Sequence, residues 1–329
     1  MCIALLSNAH PDYALILINN RDEYLNRPTA AAHWWEAPNE NVLGGRDLLR
    51  KEQGTWLGIT KQGRIAVLTN FREEDVVQEA RSRGAMVNAF LTQPAYSEAT
   101  TDKFIEALTE GEGLKGVGGF SLICGKVGEP LAVISNRTPD VASTPWIFKD
   151  GGEIVGLSNS AFANKSWPKV LHGEELLSQA VKDSVSHHGS KARLIEDLFQ
   201  LLSVDTLPKK IKGQGWESYV RELRNSIFIP VIGGAGTDEL SADDLAAAKS
   251  DQQVMVEDDQ KMRDKGDGLS GLYGTQKQTV VLFDHQGRVT FVERSLYGAT
   301  AKAVPASERD HVYEFDIQGW QKPGTDDVH

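Results

Sequence analysis

Five times along this chain a short apolar run turns back on a second one through a few polar or glycine-containing residues, and that recurrence limits the fold more than any other feature. Residues 2–7 and 13–19 flank Asn8-Ala9-His10-Pro11-Asp12, and residues 55–60 and 64–70 flank Lys61-Gln62-Gly63. Residues 120–125 and 131–136 flank Gly128-Glu129-Pro130; residues 146–149 and 153–158 flank Asp150-Gly151-Gly152; residues 278–284 and 288–294 flank His285-Gln286-Gly287. Strand runs joined so tightly predict hairpins, with glycine where a turn needs positive φ. Hairpins without interleaved helical crossovers predict antiparallel sheets.

Helical periodicity falls between the hairpins, over residues 79–92, 102–110, 166–182 and 191–203, with Ser166 and Pro168 marking the start of the third helix. Strands, then helices, then strands again predict an α+β fold with helices layered on sheet faces. A single domain over residues 1–320 is expected, with no internal repeat. Residues 250–268 are charged and poor in apolar side chains, which predicts a mobile surface excursion, and 321–329 read as a frayed tail.

Composition excludes several classes of function. With 40% hydrophobic and 25% charged residues, the 329-residue chain can build a substantial core. A net charge of −11 with no basic stripe argues against nucleic acid and anionic membrane surfaces as partners. Two cysteines, Cys2 and Cys124, make no disulfide framework and favour a reducing compartment. The apolar opening lacks a basic leader and is cut off after six residues, and no run approaches the ~18 apolar residues of a membrane span. The expectation is a cytoplasmic, intracellular protein with no transmembrane segment.

Cys2 is the first chemically informative residue. Removal of Met1 would leave a thiol and a free α-amine on one residue, and an amine with an ordinary pKa of about 8 can take the thiol proton. The competing reading is a buried cysteine opening a strand. Hairpin arithmetic, with partners summing to about 20–22, places Cys2 across from residues 18–20, so Asn20-Arg21-Asp22-Glu23 emerges from the second strand beside the thiol. A guanidinium there favours a thiolate, and a carboxylate can orient the amine. A solvated strand end carrying an ion pair is the competing reading of that tetrapeptide.

Asn20-Arg21-Asp22-Glu23, with Cys2 before it and Tyr24 and Arg27-Pro28 after it, resembles the hallmark of the NRDE family, also called the transport and Golgi organisation protein 2 family. Gly44-Gly45-Arg46-Asp47, Gly54-Thr55-Trp56-Leu57-Gly58, Leu68-Thr69-Asn70-Phe71-Arg72, Gly156-Leu157-Ser158-Asn159-Ser160 and Tyr273-Gly274-Thr275 are similar to further family segments, so the resemblance runs to about residue 300. It implies a four-layer αββα sandwich of antiparallel sheets, like that of N-terminal-nucleophile hydrolases. The cysteine branch of those enzymes, which includes penicillin V acylases, bile salt hydrolases and acid ceramidase, implies catalytic roles for Cys2, Arg21, Asp22, Asn70 and Asn159, the two asparagines serving as oxyanion donors. Asn20, Glu23, His33, Trp34 and Lys277 are the candidate substrate contacts. His33-Trp34-Trp35 is read as a loop at a pocket mouth.

Two departures from the pattern matter. The Arg and Asp are adjacent here rather than two residues apart, leaving open whether Asp22 or Glu23 faces the amine. After Thr275 this chain has Gln276-Lys277 where relatives carry Arg, so a third cationic anchor is displaced to Lys277 or lost.

Other signals are weak. Gly116–Gly119 and Gly233–Gly236 lack a phosphate-loop ending, the eight histidines show no ligand spacing, and Asp264–Gly268 lacks the oxygen-ligand spacing of a calcium loop. No metal and no resident cofactor are expected. The first functional expectation is hydrolysis of an acyl amide, ester or thioester. The alternative is a non-catalytic carrier of lipid or haem, with Cys2, His10 and His33 as axial candidates for a transported haem. The resemblance also implies links to Golgi organisation, protein secretion and lipid homeostasis, and a Golgi or mitochondrial association.

Overall fold

The computed structural model describes residues 1–70, 82–94, 100–110, 113–162, 164, 166–211, 216–233, 272–298 and 302–320. The predicted excursion at 250–268, the tail at 321–329, the Asp264–Gly268 segment and the predicted helix start at 79–81 lie outside these residues.

Thirteen strands in the described residues form two antiparallel sheets. One has the order β10(Ile154–Leu157)-β1(Ile3–Ser7)-β2(Tyr13–Tyr24)-β11(Tyr273–Asp284)-β12(Arg288–Ser295)-β13(Asp310–Asp316). The other runs β3(Thr29–Trp34)-β4(Val42–Asp47)-β5(Leu57–Thr60)-β6(Arg64–Asn70)-β7(Phe120–Lys126)-β8(Leu131–Ser135)-β9(Trp146–Ile147). Alternating side chains put Ala4, Leu6, Leu15 and Leu17 of the first sheet against Leu43, Ile59, Ile65, Val67 and Ile123 of the second, in a core between the sheets.

The outer faces are covered by helices. Residues Val87, Phe90 and Leu91 of α1(Arg83–Leu91) and Phe104 and Ile105 of α2(Thr101–Glu110) cover Ala66, Leu68 and Leu122. Leu177 and Val181 of α3(Pro168–Ser186) and Leu194, Leu198 and Phe199 of α4(Lys191–Leu202) cover Ile3, Leu5, Ile16 and Ile18. A short α5(Trp216–Glu222) completes the set. The α+β, four-layer arrangement is as expected.

Four of the five predicted hairpins form. The fourth does not: β9 pairs with β8, whereas β10 pairs with β1 in the other sheet. Asn8 draws the connecting turn across by donating to the Asp150 carbonyl and accepting from the Glu153 amide, both at 2.7 Å. The first hairpin is also re-registered. Its partners sum to 23 (Ile3 with Asn20, Ser7 with Ile16) rather than 20–22, because the connection is longer than the turn cluster suggests.

The polar tetrapeptide does not emerge from β2 but stays inside it. Its partner β11 begins at Tyr273 and carries its own polar residues opposite. Ser166 is not the cap of α3; that position is Trp167, with Pro168 in the first turn. His33 and Trp34, expected on a loop, end β3, a strand that the alanine-rich run Ala30–Ala32 concealed.

Helix α3 sits unusually close to β1. A Cβ on Gly173 would lie 2.8 Å from Leu5 Cδ1, so only glycine permits this approach. Replacing Gly173 with Val is expected to push α3 away from β1 and cost about 1–3 kcal/mol, read as a lower urea midpoint with an unchanged slope.

Candidate active site

Strand register assembles the site. Cys2 immediately precedes β1, and continuing the β2 ladder by one pair and the β10 ladder by two sets it between Arg21 of β2 and Asn159, just past β10. Directly opposed residues share a face, so Cys2, Arg21 and Asn159 all face the space between the sheets, while Asp22 faces α3. The tetrapeptide is thereby divided between two compartments.

On the helix side, Asp22 is enclosed. Thr275 Oγ1 donates to its Oδ1 at 2.7 Å, and the Tyr273 hydroxyl donates to its backbone carbonyl at 3.3 Å. Its Oδ2 lies 3.5 Å from the Met1 amine and 3.9 Å from Lys169 Nζ, and accepts no hydrogen bond. The Met1 amine also donates to the Tyr273 hydroxyl oxygen. Asp22, not Glu23, is therefore the carboxylate beside the amine. Burial lowers the pKa of that amine, opposed by Asp22. Burial raises the Tyr273 hydroxyl well above its ordinary value, reinforced by Asp22.

Between the sheets, Cys2 is 6% exposed and its Sγ lies 3.8 Å from the Asp22 carbonyl. Burial pushes the thiol pKa up, with the neighbouring amine pulling it back. Cys124, by contrast, is buried under α1 and α2 with burial alone raising its thiol.

Arg21 stacks over Trp56 at 4.0 Å, donates to Gln276 Oε1 and faces Glu23 Oε2 at 3.8 Å. Its Nε and Nη2 are buried without hydrogen-bond partners. Glu23 is shared with Arg27 at 3.8 Å, and Arg27 in turn holds Asp47 at 2.8 Å. Ser158 Oγ donates to the Cys2 carbonyl at 2.7 Å, and Asn159 Nδ2 donates to the Asn70 carbonyl at 2.6 Å. The last bond ties β10 of one sheet to β6 of the other, beside the thiol.

Clefts open on both sides of Trp56. One, of about 30 Å³, is lined by Asn19, Arg21, Arg46, Lys277, Phe291 and Glu293 among others. The second, also of about 30 Å³, is lined by Glu23, Arg27, Asp47, Arg50, Asn70 and Arg83 among others. Burial and the neighbouring Arg50 and Arg27 lower the Arg83 guanidinium to about 10.

The structure thus brings together Cys2, Arg21, Asp22, Glu23, Asn70 and Asn159, with Lys277 directly opposite Arg21 and lining the same cleft, and separates three other candidates from them. Asn20 points into the helix layer, donating to the carbonyls of Leu202 at 2.7 Å and Ile227 at 2.9 Å. The His33 ring nitrogen lies 2.8 Å from the Ala31 carbonyl, and Trp34 packs edge-on against Phe315 at 4.9 Å. Lys277 stands opposite Arg21 and pairs with Glu293 at 2.9 Å; the bulge between Thr275 and Lys277 adds Gln276, whose Oε1 accepts from Arg21. His10 has both ring nitrogens in contacts, with Ser184 Oγ and the Asp12 amide.

Sequence reasoning missed Lys169, Tyr273, Thr275 and Gln276. Lys169 left a readable signal: it stands in the buried stripe Lys169, Gly173, Leu177, Val181 of α3, where an apolar residue belongs. No group of three or more metal-ligating side chains occurs among the described residues, and no helix among them is long and apolar enough to cross a membrane.

The model of the family described as Transport and Golgi organisation 2 matches residues 1–298. The chain belongs to that family. It is 31% identical to the Transport and Golgi organization protein 2 homolog of Homo sapiens, over 93% of this chain and 94% of the relative. The Drosophila melanogaster Transport and Golgi organization protein 2 is 26% identical, over 91% and 93%. Among solved structures, a Caenorhabditis elegans N-acylethanolamine-hydrolyzing acid amidase ortholog is similar with TM-score 0.43 and 15% identity, covering 60% of this chain and 85% of its own. A mutant conjugated bile acid hydrolase from Clostridium perfringens is similar with TM-score 0.36 and 10% identity, covering 98% and 94%. Both scores are below one half, and the family assignment rests on the sequence matches.

Asp22 Oδ2 is the carboxylate oxygen that faces both the Met1 amine and the buried Lys169 ammonium. Asp22→Asn is therefore expected to cost about 3–5 kcal/mol at neutral pH, measured by urea unfolding.

Proposed function

We propose that this protein is a cysteine acyl hydrolase in which Cys2, freed by removal of Met1, is both nucleophile and, through its α-amine, base. One observation carries the reading: the Cys2 thiol is buried, and the buried Asp22 carboxylate lies 3.5 Å from the Met1 amine, one residue from the nitrogen that removal of Met1 would free on Cys2. That is the nucleophile, base and orienter set of a terminal-amine enzyme.

The steps follow from those groups. The amine takes the thiol proton, and Sγ attacks the acyl carbonyl, forming a C–S bond and an oxyanion. Asn159 Nδ2 spends one N–H on Asn70 and has a second for the oxyanion. Collapse breaks the bond to the amide, alcohol or thiol leaving group, which takes the proton from the amine. Water then attacks the thioester, giving its proton to the amine, and release of the acid restores the thiol. Arg21 favours the thiolate by its charge. Arg21 lines one of the narrow clefts beside Trp56 and Asn70 the other, which makes them the approaches an acyl group would use.

The carrier of lipid or haem is the competing reading, and it draws on the Asn159–Asn70 bond, which occupies part of the proposed oxyanion site. The name shared by the relatives supports a role in Golgi organisation for either reading.

The processed protein, verified by intact mass, should turn over at least one member of a panel of acyl amides, esters and thioesters. Cys2→Ala should lower that turnover by more than about 10³-fold while leaving the unfolding midpoint close to wild type. Full turnover by Cys2→Ala, or a Met1 that stays on in the native cell, removes the hydrolase reading and leaves the carrier.

A further inference from the structure

Four elements enclose the compartment around the terminal amine. The start of β1 brings Met1 and Cys2, β2 brings Asp22, β11 brings Tyr273 and Thr275, and α3 brings Lys169. Lys169 is fully buried, at 0% exposure. Its Nζ donates to the Met1 carbonyl at 2.7 Å and faces Asp22 Oδ2 at 3.9 Å, the same oxygen that faces the amine. Glu23, the next nearest carboxylate, is engaged by Arg21 and Arg27 between the sheets. The helix-side compartment therefore holds two potential ammonium groups and one carboxylate.

A dry site with a single counter-charge compensates one of two cations, and leaving the second charged is costly. The group with the lower ordinary pKa releases its proton first. An α-amine titrates about two units below a lysine. We infer that Lys169 is a positioning residue that claims the charge of Asp22 and so holds the terminal amine in its neutral, proton-accepting form. The inference rests on the proposed use of that amine as base and supplies what the mechanism lacks, a reason for the base to be unprotonated at neutral pH.

Removal of Met1 moves the terminal amine to Cys2 N, the atom bonded to the Met1 carbonyl carbon whose oxygen accepts from Lys169 Nζ at 2.7 Å. The Met1 carbonyl, the one hydrogen-bond acceptor described for Lys169 Nζ, leaves with the residue, and Asp22 Oδ2 is the charge it already faces. The direction of the interaction agrees: Lys169 lowers the amine, although burial is the larger cause. Lys169 is itself lowered by burial and held up by Asp22. Tyr273, whose hydroxyl is kept neutral, contributes a hydrogen bond rather than a charge.

The test uses the full-length processed protein and reads the amine directly, by the pH dependence of competitive acetylation of the N-terminal peptide in mass spectrometry. In the wild type the amine should titrate below its ordinary value of about 8. Lys169→Met, which keeps an apolar-compatible stem and removes the charge, should move the profile up by about one unit, a tenfold smaller neutral fraction below the pKa. Lys169→Arg should keep it near wild type. A lysine serving only to brace the chain would leave the profile in place whatever it did to stability.

A wild-type amine at or above about 8 overturns the inference without any variant having to fold. So does an unmoved profile in Lys169→Met. Loss of turnover in Cys2→Ala alongside such an unmoved profile would reject the role of Lys169 and keep the hydrolase. A shifted profile alongside full turnover in Cys2→Ala would keep the charge relation and reject the hydrolase.

Discussion

Four consecutive polar residues, Asn20 to Glu23, lie buried in an interior strand of a six-stranded sheet, and every neighbouring element answers to that burial. A polar group removed from water without a partner costs about 1–3 kcal/mol, and a charge considerably more. Strand alternation then dictates where the partners must be. Asn20 and Asp22 face the helices; Arg21 and Glu23 face the second sheet. The end of α4 and Ile227 each supply a carbonyl for Asn20, α3 supplies Lys169 for Asp22, and β11 supplies Thr275 and Gln276. Across the sheet gap, Trp56 supplies a ring for Arg21, and Arg27 supplies charge for Glu23.

This division separates two tasks that one strand could not perform on one face. The inner face carries Arg21 beside the thiol and meets the clefts; the outer face carries Asp22 beside the Met1 amine. Cys2 is the residue where the two meet, since its side chain lies between the sheets and its backbone nitrogen leads toward the helix layer. The close seat of α3, allowed by Gly173 against Leu5, brings a lysine close enough to act on that nitrogen's surroundings.

Much of the architecture was legible because its signals are local. A glycine after an apolar run, as at Gly63 (φ +82°), Gly128 (φ +91°) or Gly287 (φ +85°), announces a turn from its own conformational freedom. The failures were non-local. Asp150-Gly151-Gly152 carries a good turn signal, yet the strands on either side join different sheets because Asn8 holds the turn from far along the chain. His33 and Trp34 were misread as loop because alanines give no clear alternation. Lys277 drew notice as a cation from its residue type, but only the register sets it opposite Arg21, with Glu293 as its partner and Gln276 inserted beside it by a one-residue bulge.

The sequence by itself determined the antiparallel class, the identity of the nucleophile candidate and the polar tetrapeptide as its neighbourhood, because these depend on residue type and short spacing. Only the tertiary structure decided which carboxylate meets the Met1 amine, that Asn20 belongs to the helix layer, and that Lys169 faces Asp22. Register and bulge position choose the face each side chain takes, and a one-residue change in register exchanges the faces. That choice is made by partners brought from the far end of the chain, where no local pattern reports it.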